Sequence, residues 1–327
     1  LSDYNKAVEL DPEEVDNYNN RAALYALLEE NSKAFLDYSK CIELYPNDAI
    51  YFNNRADFHG NIEEYDNALA DYASVLVLPD ASDYQKCVAL NNRANVYSDQ
   101  GDNELAIKEY SIIIDDYAAA LDFDDLALTY RNRGLSHKSL EQYELALSDY
   151  NKAAELDPEE VDIYENRADL YALLEDNAKS VLDYSKCIEL YPNDAYYLNI
   201  RADFHSDIEE YDNALADYAS VLVLPDASDY QKCVALNNRA NVYSDQGDDE
   251  LAIKEYSIII DDYAEALDLD NLALTYRNRG QSYEYLKQYN LALSDYDKAI
   301  ELDPEDVTNY EYRAGLYALL EENTKAY

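Results

Sequence analysis

The sequence predicts an all-α solenoid, a stack of helix–turn–helix repeats, and three observations predict it. The stretch LSDYNKAVELDPEEVD at Leu1 returns as LSDYNKAAELDPEEVD at Leu147 and as LSDYDKAIELDPEDVT at Leu293, a spacing of 146 residues both times. Inside this long period an Arg followed by Ala or Gly recurs at Arg21, Arg55, Arg93 and Arg133, then at Arg167, Arg201, Arg239, Arg279 and Arg313. The intervals are 34, 38, 40 and 34 residues, and the series then repeats. Around each Arg the apolar residues fall at helical spacing. Units of this length cannot bury their own apolar faces and must stack on neighbours. The long period is thus a supra-repeat of four units. Its first two copies differ at 23 of 146 positions, and Ile62–Asp102 returns letter for letter at Ile208–Asp248, a sign of recent tandem duplication.

Residues 1–14 read as the end of a second helix from a partial repeat. The first full unit, 15–48, opens at Asp11-Pro12-x-Glu14, which supplies a capping residue, a first-turn proline and a Glu three positions after the cap. Tyr18, Ala22 and Tyr25 line one face of its first helix, Glu29–Ser32 makes a polar turn, and Ala34, Tyr38 and Cys41 line the second helix. That second helix is expected to cover Leu24, Leu27 and Leu28. Seven further units follow at 49–86, 87–126, 127–160, 161–194, 195–232, 233–272 and 273–306, and a partial one at 307–327. The two longer intervals place extra residues near Pro79–Gln85 and Ala118–Asp125, where they are expected to lengthen the connections between units.

Tyr18, Arg21, Ala22, Tyr25, Ala34, Tyr38, Cys41 and Pro46 together resemble the tetratricopeptide repeat pattern, and the match recurs along the whole chain. Tyr, Phe or Leu stands for the usual Trp, and Arg for the usual Leu. The resemblance implies a continuous right-handed superhelix of antiparallel helix pairs, with the first helix of each pair lining a concave groove. It implies binding or scaffolding and no chemistry. It also puts Asn20, Asn54, Asn92, Asn132, Asn166, Asn238 and Asn278 on the concave face, where they could bond an extended peptide backbone or simply form a solvated polar face. A clamp for a terminal carboxylate is not expected, because Asn19, Asn53 and Asn91 accompany them and Arg131 alone is basic.

Each repeating Arg is followed sixteen residues later by an acid: Arg21 by Asp37, Arg55 by Asp71, Arg93 by Glu109 and Arg133 by Asp149. The second copy has Arg167 with Asp183, Arg201 with Asp217, Arg239 with Glu255 and Arg279 with Asp295. This spacing sets Arg and acid on facing helices as forked ion pairs and leaves no ladder of free Arg for anions. His59, His137 and His205 stand where other units have Tyr, so they read as packing residues. Cys41, Cys87, Cys187 and Cys233 read as buried free thiols. No catalytic group and no enzyme activity is expected. The acidic turn Ser244–Glu250 resembles a calcium loop in composition but occupies an inter-helix turn, so the only cofactor expectation is weakly held divalent cations such as Ca2+.

Lys and Arg number 25 against 70 Asp and Glu, a formal charge of −45. Such a field repels phosphate backbones and anionic lipid, which excludes nucleic acid and membrane surfaces as partners and favours cationic ones. A hydrophobic content of 48% with 36 Tyr argues against disorder, and no apolar run reaches the length of a membrane span. Both ends break inside a helix pair without a capping repeat, and Met is absent, so a window of a longer array is expected. Two functions follow. One is a structural fibre of identical copies stacked head-to-tail, extracellular or on the cell surface. The other is a scaffold, in the cytoplasm or periplasm, that grips extended or cationic peptides.

Overall fold

The computed structural model describes the backbone of residues 1–325 and side chains through Glu321, and among these residues every regular element is helical. Packing divides the chain into two compact units, Leu1–Leu170 and Tyr171–Tyr327. The first holds α1 (Ser2–Leu10), α2 (Val15–Leu27), α3 (Asn31–Leu44), α4 (Ala49–Asn61), α5 (Tyr65–Val77), α6 (Asp83–Asp99), α7 (Asn103–Ile112), α8 (Phe123–Ser139), α9 (Tyr143–Leu156) and the start of α10 (Val161–Leu173). The second holds α11 (Asn177–Leu190), α12 (Ala195–Asp207), α13 (Tyr211–Val223), α14 (Asp229–Asp245), α15 (Asp249–Asp262), α16 (Leu269–Tyr285), α17 (Tyr289–Leu302) and α18 (Val307–Lys325). Within each unit an even-numbered helix pairs with the odd-numbered one after it, and the second helix of a pair packs on the first helix of the next. This is the α-solenoid that the period demanded.

The helices start where a side chain can take up free amide groups. Glu14 and Asp48 accept from the Asp16 and Ile50 amides at the heads of α2 and α4. Ser82 and Gln85 bond each other's backbone in a capping box at α6, and Asp122 accepts from the Asp125 amide at α8. The turns inside pairs close through one residue in the left-handed region. It is Gly101 and Gly247 in two repeats, but Glu29, Glu63, Glu141, Glu175, Glu209 or Lys287 in six, with φ of 58–61°. A side chain there crowds the next carbonyl. Glu63→Gly should therefore raise stability by about 1 kcal/mol in a urea melt, whereas the reverse change, Gly101→Glu, should lower it.

The extra residues of the long intervals do not mainly lengthen connections. They add a first turn to the helix. α6 and α8 have 17 residues where α2 and α4 have 13. The Ser82–Gln85 box starts α6 earlier than the repeat spacing alone suggests. Consequently the expected unit boundaries at 86/87, 126/127, 232/233 and 272/273 fall inside α6, α8, α14 and α16 rather than between helices. The remainder of the longest insertion forms a π-turn at Ile113–Tyr117 and a short 3-10 turn at Ala118–Ala120.

Alanine marks the closest helix crossings. Ala22, Ala34, Ala56 and Ala68 are fully buried, and a tyrosine from each second helix fills the space beside them. Where glycine replaces this alanine, at Gly134 and Gly280, the ring comes closer still. A Cβ there would lie 2.7 Å from a ring carbon of Tyr150 or Tyr296. The expected cover of Leu24, Leu27 and Leu28 by the second helix of the pair is not what forms. Leu27 and Leu28 are exposed although α3 is present. The residues equivalent to Leu24, Leu170 and Leu316, are fully buried against Tyr150 and Tyr296 of the preceding pair. The apolar stripe of the first helix faces backward along the stack, onto the preceding pair.

Candidate binding surface

Five of the repeating arginines grip an aspartate with both Nε and Nη2. Arg21 with Asp37, Arg55 with Asp71, Arg133 with Asp149, Arg201 with Asp217 and Arg279 with Asp295 all lie at 2.7–2.8 Å. Arg93 and Arg239, whose partners are Glu109 and Glu255, make one such bond each at 2.6 Å, and their Nε atoms are buried without a partner. The longer glutamate shifts its carboxylate out of the fork. The contact expected between Arg167 and Asp183 spans the two compact units and lies outside the described contacts. Arg167 donates to Asn151 at 2.8 Å.

The guanidinium groups also reach backward, a link that the sixteen-residue rule did not reveal. Nη1 of Arg55 donates to Ser39, of Arg133 to Ser111, of Arg201 to Ser185 and of Arg279 to Ser257. Each Arg thus ties its own helix pair to the one before. The two arginines outside the series are engaged as well: Arg131 donates to Asp162 at 2.6 Å and Arg277 to Asp306 at 2.5 Å. Arg313 bonds Asp297 at 2.6 Å. Every Arg of the chain therefore holds a side-chain acceptor, and no ladder of free guanidinium groups is left to attract anions.

The asparagine row is largely occupied. Asn92 donates to Asp57 at 2.8 Å, and the same Asp57 oxygen accepts from Tyr72 at 2.5 Å. Asn238, Asp203 and Tyr218 repeat the arrangement. The hydroxyls of Tyr110 and Tyr256 donate to Asn95 and Asn241 at 2.5 Å. Asn54 donates to Asn19, and Asn166 to the carbonyl of Asp162 in its own helix. Asn20 is exposed. The amides of Asn54, Asn92 and Asn238 bind neighbouring repeats together. The sequence signal for the triple was an Asp or Asn two residues after the repeating Arg with a Tyr fifteen residues beyond it. Burial pushes the Tyr72 and Tyr218 phenols well above their ordinary range, and it also raises the Asp203 carboxyl. Tyr150 differs: Leu135 stands where Asp57 does, and its hydroxyl is buried without a partner. Tyr72→Phe should therefore cost about 1.5–3 kcal/mol, while Tyr150→Phe should be neutral or stabilising by about 1 kcal/mol. Thermal melts of the two variants side by side check the contrast.

The histidines close turns. His59 and His205 meet Glu64 and Glu210 at 2.8 Å, and His137 meets Gln142 at 2.7 Å, all three imidazoles being buried. The Glu64 carboxyl is held below its usual range first by the Asn67 amide and then by His59. The four cysteines are free and buried. Burial pushes the Cys41 thiol up to about 12 and those of Cys87 and Cys233 to about 11, so these three are poor nucleophiles at neutral pH. Among the described residues no group of three or more His, Cys, Asp or Glu could hold a metal ion, the Ser244–Glu250 turn included, and no helix is long and apolar enough to cross a membrane.

Concavities of three kinds are present, one of them an open hollow of about 470 Å³ beside Tyr45, Pro46 and Gln85 that returns at about 360 Å³ beside Tyr191, Pro192 and Gln231. An open groove of about 510 Å³ lies beside Phe35, Arg55, Phe58 and His59, but its charged groups already pair with one another, and Val181 takes the place of Phe35 in the second copy. Smaller clefts of about 80 Å³ lie between the lengthened helices α6 and α8 and, in the other unit, between α14 and α16.

Models described as tetratricopeptide repeat match residues 15–48, 127–160, 161–194 and 273–306. Among solved structures, the C-terminal part of a TPR repeat-containing protein from Cytophaga hutchinsonii is 18% identical with a TM-score of 0.64, covering 79% of this chain and 98% of that one. A tetratricopeptide repeat protein from Parabacteroides merdae is 17% identical with a TM-score of 0.51, covering 82% and 98%. The pilF protein of Pseudomonas aeruginosa is 17% identical with a TM-score of 0.51, covering 67% and 94%. These likenesses concern the fold. No curated protein matches the sequence.

Proposed function

We propose that this chain, a tetratricopeptide repeat protein, is a non-catalytic scaffold that holds basic segments of partner proteins. The observation that carries this reading is the distribution of charge. Every arginine is used internally, in bonds to acids, amides or hydroxyls, yet the formal charge is −45. The surplus carboxylates therefore face solvent, and a cationic segment gains both attraction and a faster encounter. The test is binding of a short Lys-rich peptide followed by fluorescence anisotropy. It should bind at low salt and weaken steeply as ionic strength rises, because the Debye length falls from about 30 Å at 0.01 M to about 3 Å at 1 M. Equal binding of a Glu-rich peptide would remove the reading.

A second reading is self-assembly, identical copies stacking head-to-tail in a filament. The near-identity of the two 146-residue copies supports it, since a junction built from one copy's residues can be built again from another's. Its expected result is a molar mass by light scattering that grows with protein concentration and with added salt. A fixed monomer mass across both would count against it.

A further inference from the structure

We propose that the clefts between α6 and α8 and between α14 and α16 are seats for single aliphatic side chains carried by a basic partner segment. The proposal rests on the scaffold reading above and names what the scaffold selects. Each cleft exists because a repeat was lengthened. The added first turns of α6 and α8, with the connection between α7 and α8, enclose a space lined by Tyr84, Cys87, Val88, Asn91, Leu121 and Leu128. Tyr230, Cys233, Val234, Asn237, Leu267 and Leu274 line its counterpart. A 34-residue repeat lacks the turn that carries Tyr84 and so lacks this wall.

The walls are aromatic and aliphatic on one side and carry Asn91, Asn92 and Thr129, or Asn237, Asn238 and Thr275, on the other, and the volume of about 80 Å³ in both units is far below the roughly 300–1,000 Å³ of a small-molecule site. One branched side chain is the scale that fits. The lining also holds an unused acceptor. Asn91 and Asn237 donate to the amides of Asn92 and Asn238, while their own Oδ1 atoms are shielded from water and have no donor.

The rim supplies the sign of the partner. Asp83, Asp122, Asp124 and Asp125 stand at the heads of the two helices around the first cleft, and Asp229, Asp268 and Asp270 around the second. Lys86 lies 3.8 Å from Asp83 in the first and Lys232 3.9 Å from Asp229 in the second, so each offsets only part of this charge. The Asp125 carboxyl is raised by burial and then by the charges of Asp122 and Asp124, which reports the same crowding of negative charge. Lys or Arg flanking an aliphatic anchor satisfies both rim and walls.

The experiment compares three short peptides by anisotropy: Lys-flanked with a central Leu, Lys-flanked with a central Ser, and Glu-flanked with a central Leu. The first should bind about tenfold more tightly than the second, and the third should not bind. Leu128→Asp combined with Leu274→Asp adds negative charge at half-exposed positions while removing the apolar seat. It should abolish the advantage of Leu over Ser and leave Ser-peptide binding unchanged or stronger. Equal affinity for the Leu and Ser peptides overturns the seats and leaves the scaffold standing. Failure of both Lys-flanked peptides to bind overturns the scaffold reading and the seats with it.

Discussion

Alanine at Asp71 should destabilise the α4–α5 pair by about 3–5 kcal/mol, the cost of stranding one partner of a buried ion pair. The aspartate is 9% exposed and takes two bonds from Arg55, which is 20% exposed. Without it the guanidinium keeps one hydrogen bond, to Ser39 at 3.0 Å, and the face of the Phe35 ring. Hydrogen exchange should show the loss as faster opening of amides in α4 and α5. The loss belongs to the stranded charge rather than to the pair itself. Replacing both residues, Arg55→Met with Asp71→Leu, should therefore recover most of the stability. A double variant as unstable as Asp71→Ala would show that the fork itself carries the energy. Loss of Glu109 should cost less than loss of Asp71, since Arg93 has one bond to lose instead of two.

Tyr296→Ala should lower stability by about 3–5 kcal/mol, and Gly280→Ala by about 1–3 kcal/mol, for reasons that are two sides of one contact. The Tyr296 ring is fully buried between Ala292 and Leu316, so it cannot retreat from a Cβ placed 2.7 Å away. The two changes should not add. Once the ring is gone, Gly280→Ala should cost nothing or restore part of the loss by partly refilling the space. Denaturant midpoints of the two single variants and the double give the coupling directly. Simple additivity would mean that the ring can shift after all.

The period of 34–40 residues made the helix pairs legible, since apolar spacing, turn and capping residues recur with it and agree at every repeat. The Arg–acid pairing was legible for the same reason: a spacing of sixteen survives wherever two helices and their turn keep the same length. Bonds between repeats were less visible. Arg133 reaches back 22 residues to Ser111 where Arg55 reaches back 16 to Ser39, because the insertion lies on that side of the Arg. The asparagine row looked like an open surface because a polar residue at fixed spacing has the same pattern whether it faces solvent or a neighbour's phenol. The Tyr72 hydroxyl and the Asp57 carboxylate decided the matter at Asn92, and both lie in a different repeat. The added helical turn in α6 was written in Ser82-x-x-Gln85, but the repeat spacing, counted from the Arg, outweighed it.

The backward bonds of the guanidinium groups bear on how the chain responds to tension. A pull along a stack of helix pairs can open a pair or part it from its neighbour. Arg55 resists both, because one side of its fork holds Asp71 within the pair and the other holds Ser39 in the preceding one. The Tyr72–Asp57–Asn92 triple adds a second fastening toward the following pair. At Tyr150 that fastening is missing, and Arg131 with Asp162 stands in for it. Stretched from its ends, the protein should yield in steps, each freed 34-residue repeat lengthening it by roughly 110–120 Å. Repeats with the doubly fastened arginine should let go after those whose guanidinium, like that of Arg93, holds its acid by a single bond.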